Sequence, residues 1–251
     1  MIENDNRLML GYDYDLWYDY GKSEPLFTDI SLKTNSHLIL CGMSGSGKSY
    51  ALIRCIKMLS LAESPQSKIF FADFKQEDCF VFMRGCSRYY PYKKSIETLE
   101  AVHDILQRRQ SGSEMERYPV TLVWDEYIAN ILDLQRKDKK KADDVMSKVA
   151  EILMIGRGLA VRMICTCQRP DAKAFPDGSR INYGIIMVLG APIRSIYEML
   201  IPKEYIEMIE DRQFSVGEGI LLLQGTELHF IKVPVVQDVK KMQEICIKAL
   251  S

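Results

Sequence analysis

The sequence predicts an α/β fold, with a mainly parallel sheet flanked by helices, and three observations carry that prediction. A glycine-rich loop, Gly42-Met43-Ser44-Gly45-Ser46-Gly47-Lys48-Ser49, sits between an apolar run and a helical pattern. Short apolar runs alternate with helical periodicity along most of the chain, as in parallel sheets covered on both faces. Two later runs end in polar residues, Asp125-Glu126 and Gln168, at the carboxyl edge where open α/β sheets bind their ligands.

In chain order, residues 7–24 come first. Tyr and Asp alternate there between Gly11 and Gly21, which predicts an edge strand or hairpin; the alternative is an aromatic patch for a partner or a nucleotide base. Residues 37–41 read as a strand. Residues 50–59 read as a helix with Leu52, Ile53, Ile56 and Leu59 on one face. After a loop at 63–67, residues 68–73 form a buried strand that leaves the sheet at Asp73-Phe74-Lys75. A short segment at 79–83 and a helix over 95–110 follow, broken at Ser111-Gly112-Ser113. Residues 120–126 are the next strand. The charged run 135–144 reads as a solvated loop or helix end, with a DNA-facing role as the alternative. Residues 145–155 form a helix, Gly156-Arg157-Gly158 a turn, 161–167 a strand and 171–179 a loop. A strand over 183–189, helical residues 193–210 around Pro202, a hairpin about Gln224-Gly225-Thr226 and a helix over 236–250 complete the chain. There is no internal repeat. The reading divides the chain into a strand or hairpin extension at 1–30 and a main domain at 31–251, with small β additions at both ends of the core.

Composition narrows the function. The 251 residues are 47% hydrophobic and 27% charged with a formal net charge of −1, an ordinary globular balance. Such a charge argues against a broad basic face that coats nucleic acid, but permits a contact confined to a pore or loop. Seven cysteines, mostly in apolar runs, predict buried free thiols and a cytoplasmic protein. No apolar run approaches the ~18 residues of a membrane span, and the start lacks the features of a signal peptide. Cys165 and Cys167 have no second ligand pair at zinc spacing.

The glycine-rich loop fits G-x-x-x-x-G-K-[ST], in which backbone N–H groups cradle phosphates at a helix N-terminus. Residues 42–50, with Gly42, Met43, Ser44, Gly45, Ser46, Gly47, Lys48, Ser49 and Tyr50, therefore form the expected nucleotide site. Lys48 would reach the β- and γ-phosphates of ATP, and Ser49 would hold Mg²⁺. Asp125, ending a buried strand, is the expected second Mg²⁺ residue through the ion's hydration shell. Glu126 beside it is the expected group to polarise an attacking water, and Gln168 the γ-phosphate sensor. An Asp-Glu pair with a polar sensor on the next strand marks the branch of P-loop ATPases that includes ring-shaped motors.

On these residues the chain resembles the motor domain of the FtsK/SpoIIIE family of DNA translocases, within the FtsK–HerA group. The resemblance includes the RecA-like core and runs from about Leu8 to the C-terminus. It rests on the strand and loop His37–Ser49, on Asp73-Phe74-Lys75 for the family's D-P-K turn, and on Asp125-Glu126-Tyr127 for its D-E-aromatic strand end. Its most specific element is the segment from Arg157 to Pro170, which matches R-A-x-G-I-H-L-x-L-A-T-Q-R-P. Arg180-Ile181-Asn182 resembles the K-A-N segment, and Gly217-Glu218-Gly219 with the turn at Gln224 the closing hairpin. Cys167 replaces the family's threonine and Phe74 its proline.

The resemblance implies an ATP-hydrolysing hexameric ring that threads double-stranded DNA. Arg157 would then be an arginine finger acting on the neighbouring subunit, and Arg169, Lys173 and Arg180 would face DNA. The family's membrane-spanning N-terminal region and winged-helix domain are not recognised in the sequence, so accessory proteins would recruit the DNA. By analogy with compact versions on mobile elements, the motor would serve element transfer or replication. The alternative is the ATPase module of a secretion machine moving protein substrates, since such modules share the motifs.

Overall fold

The computed structural model describes residues 7–29, 36–210 and 212–251. Its strands are β1 (Arg7–Asp13), β2 (Pro25–Asp29), β3 (Leu38–Gly42), β4 (Lys68–Asp73), β5 (Tyr89–Pro91), β6 (Val120–Asp125), β7 (Val161–Cys167), β8 (Ile185–Leu189), β9 (Glu218–Leu223) and β10 (Glu227–Lys232). Its α-helices are α1 (Tyr14–Asp19), α2 (Lys48–Ala62), α3 (Ser95–Gln110), α4 (Tyr127–Lys137), α5 (Lys139–Ile155), α6 (Arg194–Leu200), α7 (Lys203–Glu210) and α8 (Val239–Leu250). The strands form one sheet in the order β2-β1-β10-β9-β8-β3-β7-β6-β4-β5. The run from β8 to β5 is parallel, and β9, β10, β1 and β2 extend it antiparallel.

The parallel strands are covered on both faces, which explains their near-continuous apolar sequence. Alternate side chains point to opposite layers. Ile39, Cys41, Leu122, Trp124, Met163 and Cys165 pack with residues of α3, α4, α5, α6 and α7. Leu38, Leu40, Phe71, Val123, Ile164 and Met187 pack with α2 and α8. The helical face of Leu52, Ile53, Ile56 and Leu59 is buried as its spacing predicts. All seven cysteines are free, and only Cys79 is exposed.

The structure departs from the sequence reading in a few places. The Tyr/Asp alternation is strand only as far as Asp13, whose carboxylate accepts the Leu16 N–H at 2.9 Å and starts α1. An aspartate at an N-cap turns a period of two into a helix. The α1 aromatics dock on their own chain: Tyr14 meets Phe214 edge-on at 5.6 Å, and the Tyr18 hydroxyl accepts from Lys232 at 3.0 Å. The charged run 135–144 is the junction of α4 and α5, exposed apart from Ala142 and the half-buried Gln135, and Asp138 caps α5 there by accepting the Lys141 N–H at 3.0 Å. A short strand, β5, lies unforeseen at the sheet edge. The expected boundary between residues 30 and 31, like residues 1–6, falls outside the described residues.

Two glycines lock the closing hairpin to the phosphate-binding loop. A Cβ on Gly219 would stand 1.9 Å from the Val188 carbonyl oxygen, so β9 can lie against β8 only with glycine there. Gly217, at φ +75°, donates its N–H to the Ser46 carbonyl at 2.9 Å and accepts the Val233 N–H at 2.7 Å.

His37 is fully buried at the start of β3 and accepts the Met163 N–H on Nδ1 at 3.0 Å. Burial, reinforced by the nearby Arg162 charge, lowers its pKa to about 3. The unfolded chain therefore binds a proton below pH ~6.5 that the native chain refuses, so this contribution is present above that pH and is lost as pH falls towards 3. In urea melts between pH 6.5 and 5, the stability difference between the wild type and His37→Asn should shrink by about 1.4 kcal/mol per pH unit. A difference that stays constant over that range would contradict a buried neutral imidazole.

Candidate active site

The site forms where β3 ends and α2 begins. Gly45 and Gly47 adopt φ of +81° and +89°, the left-handed turns that let the loop curl back on the helix start. Gly42 is required by contact, since a Cβ there would stand 2.4 Å from Ser46 Oγ and 2.9 Å from the Leu189 carbonyl. Lys48 opens α2 and is buried. A pocket of about 110 Å³ is lined by Met43, Ser44, Gly45, Lys48, Ser49, Lys75, Glu77, Glu126 and Gln168. Tyr50 turns away from it, its hydroxyl accepting the Val236 N–H.

Sheet order brings the acidic residues here. β7 lies between β3 and β6, so the ends of three adjacent strands present Gly42, Gln168 and Asp125-Glu126 side by side. Glu126, 3% exposed and in the left-handed region at φ +52°, receives the Lys48 ammonium on Oε1. The same oxygen accepts from Lys75 at 3.0 Å and from the Gln168 amide at 3.3 Å. Burial opposes ionisation of Glu126, but the two ammoniums outweigh it and hold its carboxyl below the usual range. Burial likewise works against the Lys48 charge, and Glu126 reverses this and raises its pKa.

Thr166 ties the pair of acids to β7. Its Oγ1 accepts the Glu126 N–H at 2.8 Å and donates to Asp125 Oδ1 at 2.7 Å. Asp125 Oδ2 is buried with no hydrogen-bond partner. Burial, only partly offset by Thr166 and Lys48, pushes the Asp125 carboxyl up to about 7. On the other side, Ser49 Oγ donates to Glu77 Oε2 at 2.8 Å.

These donors fit Mg²⁺ and a polyphosphate. Hard oxygens come from the Ser49 hydroxyl and from an Asp125 carboxylate with a free buried oxygen. Among the described residues no cluster of three His, Cys, Asp or Glu side chains could hold a metal by itself. Mg²⁺ in phosphate-transfer sites is usually held this way, by one or two side chains together with substrate phosphates.

The structure places the expected residues in two groups. Lys48, Ser49, Glu126 and Gln168 meet at the pocket, with Asp125 directly behind. Arg157 does not join them. It precedes β7, at the opposite end of the strand from Gln168, and is exposed. There it shares a cavity of about 620 Å³ with Arg180, Asn182, Tyr183 and Gln224. Arg169 and Lys173 are exposed, while Arg180 donates to the Pro170 carbonyl at 2.7 Å and is half-buried. Sequence reasoning missed Lys75, Glu77 and Thr166 as site residues. Lys75 had a signal in its turn at the carboxyl edge, and Thr166 in being a lone hydroxyl on an apolar strand; Glu77 had none.

A glycine-rich loop on a helix start, an adjacent Asp-Glu pair and a glutamine on the strand between form a P-loop arrangement like that of FtsK–HerA-type ATPases. No model of a known protein family matches the chain. In sequence it is similar to the FtsK domain-containing protein YdcQ of Bacillus subtilis (strain 168), 26% identical over 220 residues, covering 79% of this chain and 45% of that protein. The chain thus spans less than half the length of that relative. In fold it is similar to the cytoplasmic domain of the Thermomonospora curvata type VII secretion ATPase EccC, with a TM-score of 0.70, 19% identity, 99% of this chain and 31% of that one. It is equally similar to the pCW3 conjugation coupling protein TcpA, a monomer form with ATPγS, with a TM-score of 0.71, 17% identity, 97% of this chain and 70% of that one. The chain is FtsK-like in sequence and in fold. No helix among the described residues is long and apolar enough to cross a membrane.

The Thr166 bridge predicts a specific loss. Thr166→Val strands the buried Glu126 N–H and frees Asp125 Oδ1, and should cost about 1–3 kcal/mol in urea unfolding. Thr166→Ser, which keeps the hydroxyl, should cost far less. Equal losses in the two variants would show that the methyl group's packing, not the bridge, matters.

Proposed function

We propose that this chain is an ATP-hydrolysing motor that assembles into a ring, with a hexamer as the expected form, and moves double-stranded DNA in the cytoplasm. The observation that carries the reading is the convergence of Lys48, Lys75 and Gln168 on Glu126 beside Ser49. Bound Mg²⁺ would neutralise charge on the phosphates, held by Ser49 and by Asp125 through water. Lys48 and the N–H groups of residues 44–49 would hold the phosphates. Glu126, placed by Thr166, would orient and polarise the attacking water. Gln168, between the acidic strand and the phosphate loop, would contact the terminal phosphate.

Arg157 is too far along β7 to serve its own pocket, since seven strand residues span roughly 20 Å. A neighbour's nucleotide is the target that suits an exposed arginine on that edge, and this supports a ring. Arg169 and Lys173, exposed just beyond the sensor, are the candidate DNA contacts. Arg180, which also belongs to this group, would support the loop through Pro170. The mobile-element setting rests on analogy with TcpA, whose name describes a conjugation coupling protein.

The competing reading is a secretion ATPase that moves protein. It has specific support, because EccC matches the fold as closely as TcpA does. Duplex DNA separates the two. Hydrolysis by the wild type should rise several-fold with duplex DNA. The double variant Arg169→Ala, Lys173→Ala should lose most of that rise while its basal rate stays within about twofold. Its DNA affinity should fall with salt less steeply, the log–log slope shrinking by about 1.8 for two lost phosphate contacts. Absence of any DNA effect in the wild type would favour protein cargo.

A further inference from the structure

Lys75 stands on a turn built with unusual care for a surface loop. Asp73, wholly buried at the end of β4, accepts the Gln76 N–H on Oδ1 at 2.7 Å, and its Oδ2 accepts the Tyr89 hydroxyl. Gln76 lies in the left-handed region at φ +58°, and Arg84 donates to its carbonyl at 3.2 Å. The turn delivers the Lys75 ammonium to the rim of the nucleotide pocket, where its side chain keeps 34% exposure. There it pairs with Glu126 Oε1, the oxygen that also takes Lys48.

Two ammoniums share one carboxylate oxygen, so a phosphate entering the pocket could take one of them while the other stays with Glu126. Glu77 also lines the pocket, but its Oε2 accepts from Ser49 Oγ, and the carboxylate partner of Lys75 is Glu126. Lys48 sits on the first turn of α2, where a phosphate chain would lie across the helix start. Lys75 approaches from β4, on the far side of Glu126 and Gln168, where the chain's terminal group would end. We propose that Lys75 is the residue that distinguishes a nucleoside triphosphate from a diphosphate, exchanging Glu126 for the terminal phosphate and thereby freeing the carboxylate for its water. The inference rests on the ATPase reading and adds a specificity-determining cation to it. A lysine suits the task, being a flexible point charge able to pass between two anionic partners.

The test compares equilibrium binding of ATPγS and ADP, each with Mg²⁺, to the wild type, Lys75→Ala and Lys75→Arg by calorimetry. Lys75→Ala should weaken ATPγS about tenfold or more, the size of a lost charged hydrogen bond. ADP affinity should change less than about twofold, and Lys75→Arg should recover most of the preference. A parallel fall for both nucleotides would assign Lys75 a merely structural part and overturn the proposal, as would an unchanged ATPγS-to-ADP ratio. A wild type that binds neither nucleotide would instead overturn the ATPase reading beneath it.

Discussion

Glu126 is buried at the end of β6, in a backbone conformation few non-glycine residues adopt, with Lys48, Lys75 and Gln168 all directed at one of its oxygens. A lone carboxylate at such depth would be costly. The ammoniums offset that cost, and each comes from a different strand connection: Lys48 after β3 and Lys75 after β4. Gln168 follows β7. The site is therefore as much an assembly of sheet neighbours as a loop motif. Remove Glu126 and the Lys48 and Lys75 ammoniums lose the carboxylate they share.

The order of the sheet makes this possible. With β7 inserted between β3 and β6, the phosphate loop and the acidic pair are held one strand apart, leaving room for substrate between them. Thr166 bridges the remaining step from β7 to β6. The antiparallel strands add a second constraint from the opposite side. Gly217 bonds the loop at Ser46, and Gly219 allows β9 to approach β8, so the closing hairpin braces the phosphate loop. The α1 segment in turn rests on that hairpin through Lys232–Tyr18, and Asp15 pairs with Arg212 ahead of it.

Much of this was legible in the sequence because local pattern and global position agree. The glycine loop, the buried strands and the α3 helix follow from motif and periodicity alone, and α3 occupies residues 95–110 as read. Glu126 and Gln168 were legible because strands in open α/β sheets present ligands at their carboxyl ends. What escaped depends on long-range geometry. Glu77 belongs to the site only because its loop folds back over Ser49. Thr166 matters only once β6 and β7 are known to be neighbours. The Tyr/Asp alternation misled because Asp13 offers a side-chain cap that outcompetes the strand pattern.

The central claim is that Glu126 drives turnover while Lys48 and the loop bind the nucleotide, and one measurement addresses it directly. Mg²⁺-dependent binding of ATPγS and steady-state hydrolysis of ATP would be measured on the wild type and on Glu126→Gln, an isostere that still accepts from Lys48 and Lys75. The account predicts ATPγS affinity within a few-fold of the wild type and turnover reduced by about 10²-fold or more, the scale of a lost general base. Hydrolysis at the wild-type rate in Glu126→Gln would contradict it.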